Sequence, residues 1–222
     1  MKHAYQKTLV SLVSLAAMLL IAAAGATADV PNPPMDTPAM MKGIQTAVLS
    51  GGCFWGMEGV FERLKGVVDV TSGYSGGEKD TAHYEMVSTG TTGHAESIQV
   101  HFDPRQISYG TLLKVFFTVA HDPTELNYQG PDSGTQYRSA IWYANDGQKQ
   151  VAEDYIRALD QARVFSKAIV TQVAPLKAFY AAEDYHQHFL DRNPDYPYIV
   201  FVDMPKIVAL KKTFPQLVAN KS

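Results

Sequence analysis

Thr46-Ala47-Val48-Leu49-Ser50-Gly51-Gly52-Cys53-Phe54-Trp55-Gly56-Met57-Glu58-Gly59-Val60-Phe61-Glu62-Arg63-Leu64-Lys65-Gly66 reads as a strand, a glycine break and a helix in succession. Residues 46–50 form a short apolar run of strand type. After the glycine pair, Phe54, Met57, Val60, Phe61 and Leu64 recur at helical spacing until Gly66 stops the pattern. Cys53 therefore falls in the first turn of a helix. Unpaired backbone N–H groups and the helix dipole favour an anion there, so the thiol is expected to ionise readily and act as a nucleophile. Phe54 and Trp55 occupy adjacent helical positions and cannot both face one side, so at least one is expected to point toward the mouth of the turn.

The same mixture continues outward. Residues 67–71 alternate as a strand, and Ser72-Gly73-Tyr74-Ser75-Gly76-Gly77 reads as a glycine-rich loop. Tyr84-Glu85-Met86-Val87 leads to Thr92-Gly93-His94-Ala95-Glu96 and an alternating strand over 98–102. By residue type alone Glu96 reads as a solvated strand-edge residue and His94 as a turn residue bonded to backbone. Residues 109–119 predict an amphipathic helix ending before Pro123. The loop over 130–138, with Asp132 and Tyr137, feeds a strand over 139–143. Further helices are expected over 148–163 and 182–190, the last carrying Glu183, Tyr185, His186 and His188. Strands and helices mix without strict alternation and without an internal repeat. That predicts an α+β domain with helices on one face of a mixed sheet.

The 222 residues are 46% hydrophobic and 18% charged with a net charge of −3, enough for one ordinary core and without the clustered Lys and Arg that phosphate binding needs. Nucleic acid is excluded as the expected partner. Lys2 and Lys7 lead into an apolar stretch over 9–24, followed by Ala26-Thr27-Ala28. This reads as a signal peptide over 1–28 cleaved after Ala28, because the apolar run is shorter than the roughly 20 residues of a membrane-spanning helix. The mature protein is then exported, periplasmic or secreted, with no stable membrane insertion. Residues 29–43 read as a flexible arm and 44–222 as the catalytic domain. The single cysteine cannot form a disulfide within its own chain, so the fold must stand without one. A lone thiol also has an ordinary alternative as a small buried hydrophobe.

Six segments in order, Gly51 to Gly56, Gly73 to Gly77, Thr92 to Glu96, His121-Asp122-Pro123-Thr124, Gly134-Thr135-Gln136-Tyr137-Arg138-Ser139 and Glu183-Asp184-Tyr185-His186-Gln187, resemble the peptide methionine sulfoxide reductase A family over about 45–205. The resemblance implies an α+β fold with a split βαβ, ferredoxin-like core and a long irregular C-terminal segment. It implies reduction of the S epimer of methionine sulfoxide, free or in proteins, to methionine. Carried over residue by residue, Cys53 attacks the sulfoxide sulfur and Phe54 and Trp55 receive the substrate methyl group. Glu96 is the acid that protonates the oxygen, Tyr84 and Tyr137 hydrogen-bond that oxygen, and Asp132 tunes the network. His94, Gln136 and His186 also match and are read as structural.

Ile199 stands where many members have a resolving cysteine, so the chain resembles the one-cysteine type. No bound cofactor and no metal are expected. The Cys53 sulfenic acid needs an external thiol reductant: glutathione or another small thiol, a glutaredoxin or a thioredoxin-like protein. In an oxidising periplasm, a membrane-coupled thiol carrier is the expected supplier. Phe189 replaces a tyrosine common near the sulfoxide site, which leaves the oxygen contacts to Tyr84, Tyr137 and Glu96. Tyr128 replaces a common arginine. Two other classes fit parts of the pattern. A Cys-His hydrolase could take His94, His121, His186 or His188 as base, and a non-catalytic module could grip methionine with Phe54 and Trp55.

Overall fold

The opening run folds as strand β1 (Gln45–Ser50) and helix α1 (Phe54–Phe61) in a computed structural model that describes residues 30–36 and 43–219. The remaining strands are β2 (Val67–Ser75), β3 (Ala95–Phe102), β4 (Tyr128–Gln129), β5 (Asp132–Ser133), β6 (Ala140–Tyr143), β7 (Gln172–Pro175) and β8 (Phe179–Ala181). The remaining helices are α2 (Tyr84–Val87), α3 (Tyr109–Val115), α4 (Asp146–Gln161), α5 (Phe189–Arg192) and α6 (Met204–Thr213). Six strands form one sheet in the order β7-β6-β1-β3-β2-β8. Strand β3 pairs antiparallel with both β1 and β2, so β1 and β2 run the same way with β3 inserted between them. That is the split βαβ unit, with α1 as its crossover. Antiparallel β6 and parallel β7 extend the sheet on one side and antiparallel β8 on the other, giving the mixed sheet expected.

Alternation along the strands builds the core. Ala47 and Leu49 of β1, Ile98 and Val100 of β3 and Ile141 of β6 share one buried cluster with Met57, Val60 and Phe61 of α1, Leu112 and Leu113 of α3, Tyr155 and Leu159 of α4, and Ile207 and Leu210 of α6. Val48, Ala95, Ala140 and Trp142 face the other way and are covered by Ala174, Leu176 and Phe179. Side chains start the two longer helices of the middle region. Ser108 Oγ accepts the Thr111 N–H at 3.1 Å ahead of α3, and Asn145 Oδ1 accepts the Gln148 N–H at 3.0 Å ahead of α4.

Three local expectations change. Residues 72–75 are strand rather than loop, because β2 runs on to Ser75 and pairs with β8. Gly73 is there for close approach: a Cβ on it would stand 2.3 Å from the Tyr180 carbonyl oxygen. Residues 182–190 do not form the expected helix. The Gln187 side chain takes the Ser72 N–H at 2.9 Å and donates to the Ser72 and Ala182 carbonyls, while His188 adopts the left-handed region at φ 53. Side chains that bond the sheet edge leave the backbone in successive turns until α5. Beyond them the segment is helical, with a wider π-type turn at Ile199–Asp203 running into α6. Finally, residues 30–36, inside the segment read as a flexible arm, are anchored on the domain. Val30 packs on the core, Tyr155 Oη donates to the Pro31 carbonyl at 2.9 Å, Lys114 reaches Asn32, and Asp36 accepts the Gly110 N–H at 2.8 Å. Residues 1–28 lie outside the described residues. No described helix is long and apolar enough to cross a membrane.

Candidate active site

Cys53 is the cap residue of α1 and offers no side-chain capping bond of its own. The Phe54 N–H is instead taken by Glu96 Oε2 at 3.0 Å, from the start of β3. One contact therefore finishes the helix start and places a carboxyl beside the thiol. A turn further on, Gly56 lets a second element approach: a Cβ there would stand 2.0 Å from Asp203 Oδ1 and 2.8 Å from Lys206 Nζ. Asp203 and Lys206 form an ion pair at 3.1 Å, with Asp203 fully buried.

The cleft around Cys53 has a volume of about 210 Å³ and is lined by Phe54, Trp55, Tyr84, Glu96, Asp132, Tyr137, Tyr196 and Tyr198. All seven residues singled out in the sequence meet there. Phe54 is buried, whereas Trp55 is partly exposed and is the aromatic turned to the mouth. Trp55 is held on two sides: its Nε1 donates to His186 Nδ1 at 3.1 Å, and Phe189 stacks on its ring at 3.8 Å with planes 11° apart. Phe189 thus lies behind Trp55 and does not line the cleft, so the position is a packing partner rather than the place of a lost oxygen contact. Tyr84 is set by Glu183, whose Oε1 accepts the Tyr84 N–H at 2.9 Å and whose Oε2 accepts from the buried Tyr74 hydroxyl at 2.8 Å. The Tyr198 hydroxyl donates to Asp132 Oδ2.

The electrostatics correct one expectation. Burial, followed by the Glu96 and Asp203 carboxylates, pushes the Cys53 thiol well above its ordinary pKa, outweighing the Lys206 ammonium and the Trp55 amide that favour the thiolate. The helix start does supply a thiolate-stabilising amide, but a cysteine only 8% exposed keeps its proton. Glu96 is pushed up to about 8, chiefly by burial, with the Asp132 and Asp203 carboxylates adding and the Phe54 N–H opposing. At neutral pH it is a carboxylic acid. Tyr84 and Tyr137 are raised by burial and then by Glu96, so both remain donors. Asp132 is raised by burial against the Tyr198 hydrogen bond.

Tyr196, Tyr198, Asp203 and Lys206 were missed in the sequence. The Tyr-Pro-Tyr spacing and the Asp-x-x-Lys spacing were visible, but nothing local tied them to Cys53, some 140 residues earlier. No histidine lines the cleft among the described residues. His94 bonds Gly77 and Glu78, and His121 is enclosed between the Phe116 carbonyl and Ser139 Oγ and lowered by burial to about 4. The hydrolase alternative therefore lacks its base. Elsewhere, Glu58, Glu62 and His188 bring potential cation ligands within 4.8 Å of one another. Glu58 Oε2 already accepts the His188 N–H at 2.8 Å, and Glu62 meets the His188 ring at 2.5 Å.

A split βαβ sheet that sets one cysteine, one neutral carboxylic acid and several phenols around an aromatic cleft defines an α+β thiol enzyme of the oxidoreductase class. The family model described as peptide methionine sulfoxide reductase matches residues 45–217. Peptide methionine sulfoxide reductase MsrA 2 of Mesorhizobium japonicum is 56% identical over 179 residues, covering 81% of this chain and 92% of the relative. The protein of the same name from Synechocystis is 50% identical over 188 residues, covering 83% and 88%. Among solved structures, methionine sulfoxide reductase A of Corynebacterium diphtheriae is similar with a TM-score of 0.60 at 36% identity, covering 75% of this chain and 84% of that one. Reduced Mxr1 of Saccharomyces cerevisiae is similar with a TM-score of 0.64 at 35% identity, covering 73% and 91%. The chain belongs to the peptide methionine sulfoxide reductase family.

Proposed function

We infer that this reductase, which acts on the S epimer of methionine sulfoxide free or in proteins, works through Cys53 as nucleophile and Glu96 as proton donor. The observation that carries the reading is that a carboxyl held neutral to about pH 8 lines the same cleft as the only cysteine. The substrate methyl group sits against Phe54 and Trp55, and the oxygen faces Glu96, Tyr84 and Tyr137. A sulfoxide oxygen is a poor leaving group until protonated, so a neutral acid beside it supplies what the step lacks. Cys53 Sγ bonds to the substrate sulfur as Glu96 gives its proton to the oxygen. The thiol proton restores Glu96, and transfer of the hydroxyl to Cys53 releases methionine. The balance is one thiol and one sulfoxide giving one sulfenic acid and one sulfide. Asp132, bonded to Tyr198, positions the phenol wall and adds to the field that keeps Glu96 protonated.

Recycling needs sulfur from outside. Ile199, at the place of a resolving cysteine, is fully buried in the core, and Cys53 is the single cysteine. An external thiol forms a mixed disulfide with Cys53 and a second thiol releases it. Without added thiol, a single-turnover assay is expected to yield one methionine per Cys53. Continued turnover, or equal reduction of both epimers, would overturn the reading. We also propose export with cleavage after Ala28, supported by Lys2, Lys7 and the apolar run before Ala26-Thr27-Ala28. N-terminal sequencing of the protein from a periplasmic extract tests it, and an intact Met1 there would refute it.

A further inference from the structure

Cys53 borders two spaces. Besides the substrate cleft, a groove of about 250 Å³ reaches it, lined by Gln129, Gly130, Pro131, Phe201, Val202, Pro205 and Lys206 together with Asp132 and Tyr198. Asp132 and Tyr198 border both spaces and are hydrogen-bonded to each other, so they form the wall between them. The two sides differ in chemistry. The cleft holds the neutral acid and the Tyr84 and Tyr137 phenols that suit a sulfoxide oxygen, whereas the groove holds neither and is edged by Pro131, Phe201, Val202, Pro205 and the Asp203-paired Lys206.

We propose that this groove is where a protein dithiol docks to reduce the Cys53 sulfenic acid, entering from the side opposite the Asp132–Tyr198 wall to the substrate. The inference rests on the one-cysteine reading above and adds where the reductant binds. Phe201 is 79% exposed and Val200 41% exposed, on a π-type turn whose ends, Ile199 and Asp203, are fully buried. A fixed turn that presents an apolar ring to solvent costs little ordering on binding and suits a partner whose reactive cysteine sits on an apolar surface. The partner thiolate bonds to Cys53 Sγ and the hydroxyl leaves as water, its second proton coming from solvent. The partner's second thiol then attacks the mixed disulfide, leaving Cys53 reduced and the partner oxidised. A dithiol brings both attacking thiols on one partner, which suits a chain whose only cysteine is Cys53.

Phe201→Glu tests the proposal, with thioredoxin regenerated by its reductase and NADPH as the protein dithiol and dithiothreitol as the small one. The kcat/KM for thioredoxin is expected to fall at least tenfold, while the rate with dithiothreitol and the KM for methionine sulfoxide stay within twofold. Unchanged thioredoxin kinetics, a parallel fall with dithiothreitol, or a wild-type enzyme served by dithiothreitol but not by thioredoxin would each overturn it. The single-turnover yield of methionine without reductant is measured on the same variant. A yield of one with unchanged thioredoxin kinetics refutes the docking face alone, and a yield above one refutes the one-cysteine chemistry beneath it.

Discussion

Replacing Glu96 by Gln removes a proton donor from a side chain that can still accept the Phe54 N–H now bonded at 3.0 Å, so the helix start keeps its partner while the chemistry loses its acid. With the Glu96 pKa at about 8, roughly ten in eleven molecules carry the proton at pH 7, and each pH unit above 8 costs about tenfold in the active form. The wild-type kcat/KM for the sulfoxide is therefore expected to have an alkaline limb near pH 8. Glu96→Gln should lower the plateau by roughly 10² to 10⁴, the usual contribution of a general acid, and erase that limb. The same substitution removes a carboxylate that opposes ionisation of Cys53. Alkylation of Cys53 by iodoacetamide above pH 8 should consequently become faster in the variant that reduces sulfoxide more slowly. Stopped-flow methionine release and alkylation rates across pH 6 to 10 measure both. A variant within threefold of wild type, or one that keeps the limb near pH 8, refutes the assignment of the proton to Glu96. Slower alkylation refutes the coupling of the two groups.

Three further outcomes follow from the packing. Glu58 is held at about 7 from an ordinary 4.5, first by burial; since its folded pKa is raised, the stability of its neutral form is complete below about 4.5 and lost as pH rises through 7. Glu58→Gln should then stabilise the protein by up to ~3 kcal/mol at pH 8.5 and by little at pH 4.5, and urea melts showing no such pH difference would contradict the linkage. Gly56→Ala forces a methyl into the space of the Asp203–Lys206 pair and should cost about 1–3 kcal/mol with a slower Cys53 reaction, whereas an unchanged melting temperature would mean that the pair moves freely. Phe189→Ala removes the stack behind Trp55, worth ~0.5–1.5 kcal/mol, so the KM for sulfoxide should rise about twofold to tenfold with the alkaline limb unmoved. A shifted limb would place Phe189 in the proton chemistry instead.

How much of this was legible in the sequence depends on the range of the interaction. The strand, break and helix around Cys53 were readable because their signals are local: apolar period, glycine pair and a second glycine at the stop. Glu96 was ambiguous by type, and only its place in an ordered set of motifs separated it from a solvated strand end. The residues over 182–190 read as a helix, but the Glu183 and Gln187 side chains bond Tyr74 and Ser72 of β2 and the His188 N–H bonds Glu58 of α1. Asp203 and Lys206 could not be tied to the site, since the space they fill is defined by the missing side chain of Gly56. The Cys53 proton was misjudged for a related reason: the helix amide is local and visible, whereas the burial that outweighs it belongs to the whole fold.

The buried Ile199 also bears on the direction in which such a chain can evolve. With the present packing, a cysteine placed at 199 alone would be buried rather than presented to Cys53. A thiol at that place would be sealed inside the core, away from solvent, and would leave a void besides. The turn over 199–203 would have to be rebuilt before a second cysteine had any use, and its intermediates would lose stability with no catalytic return. Under the one-cysteine reading, dependence on an outside thiol is in that sense a packed-in commitment rather than a residue-level choice.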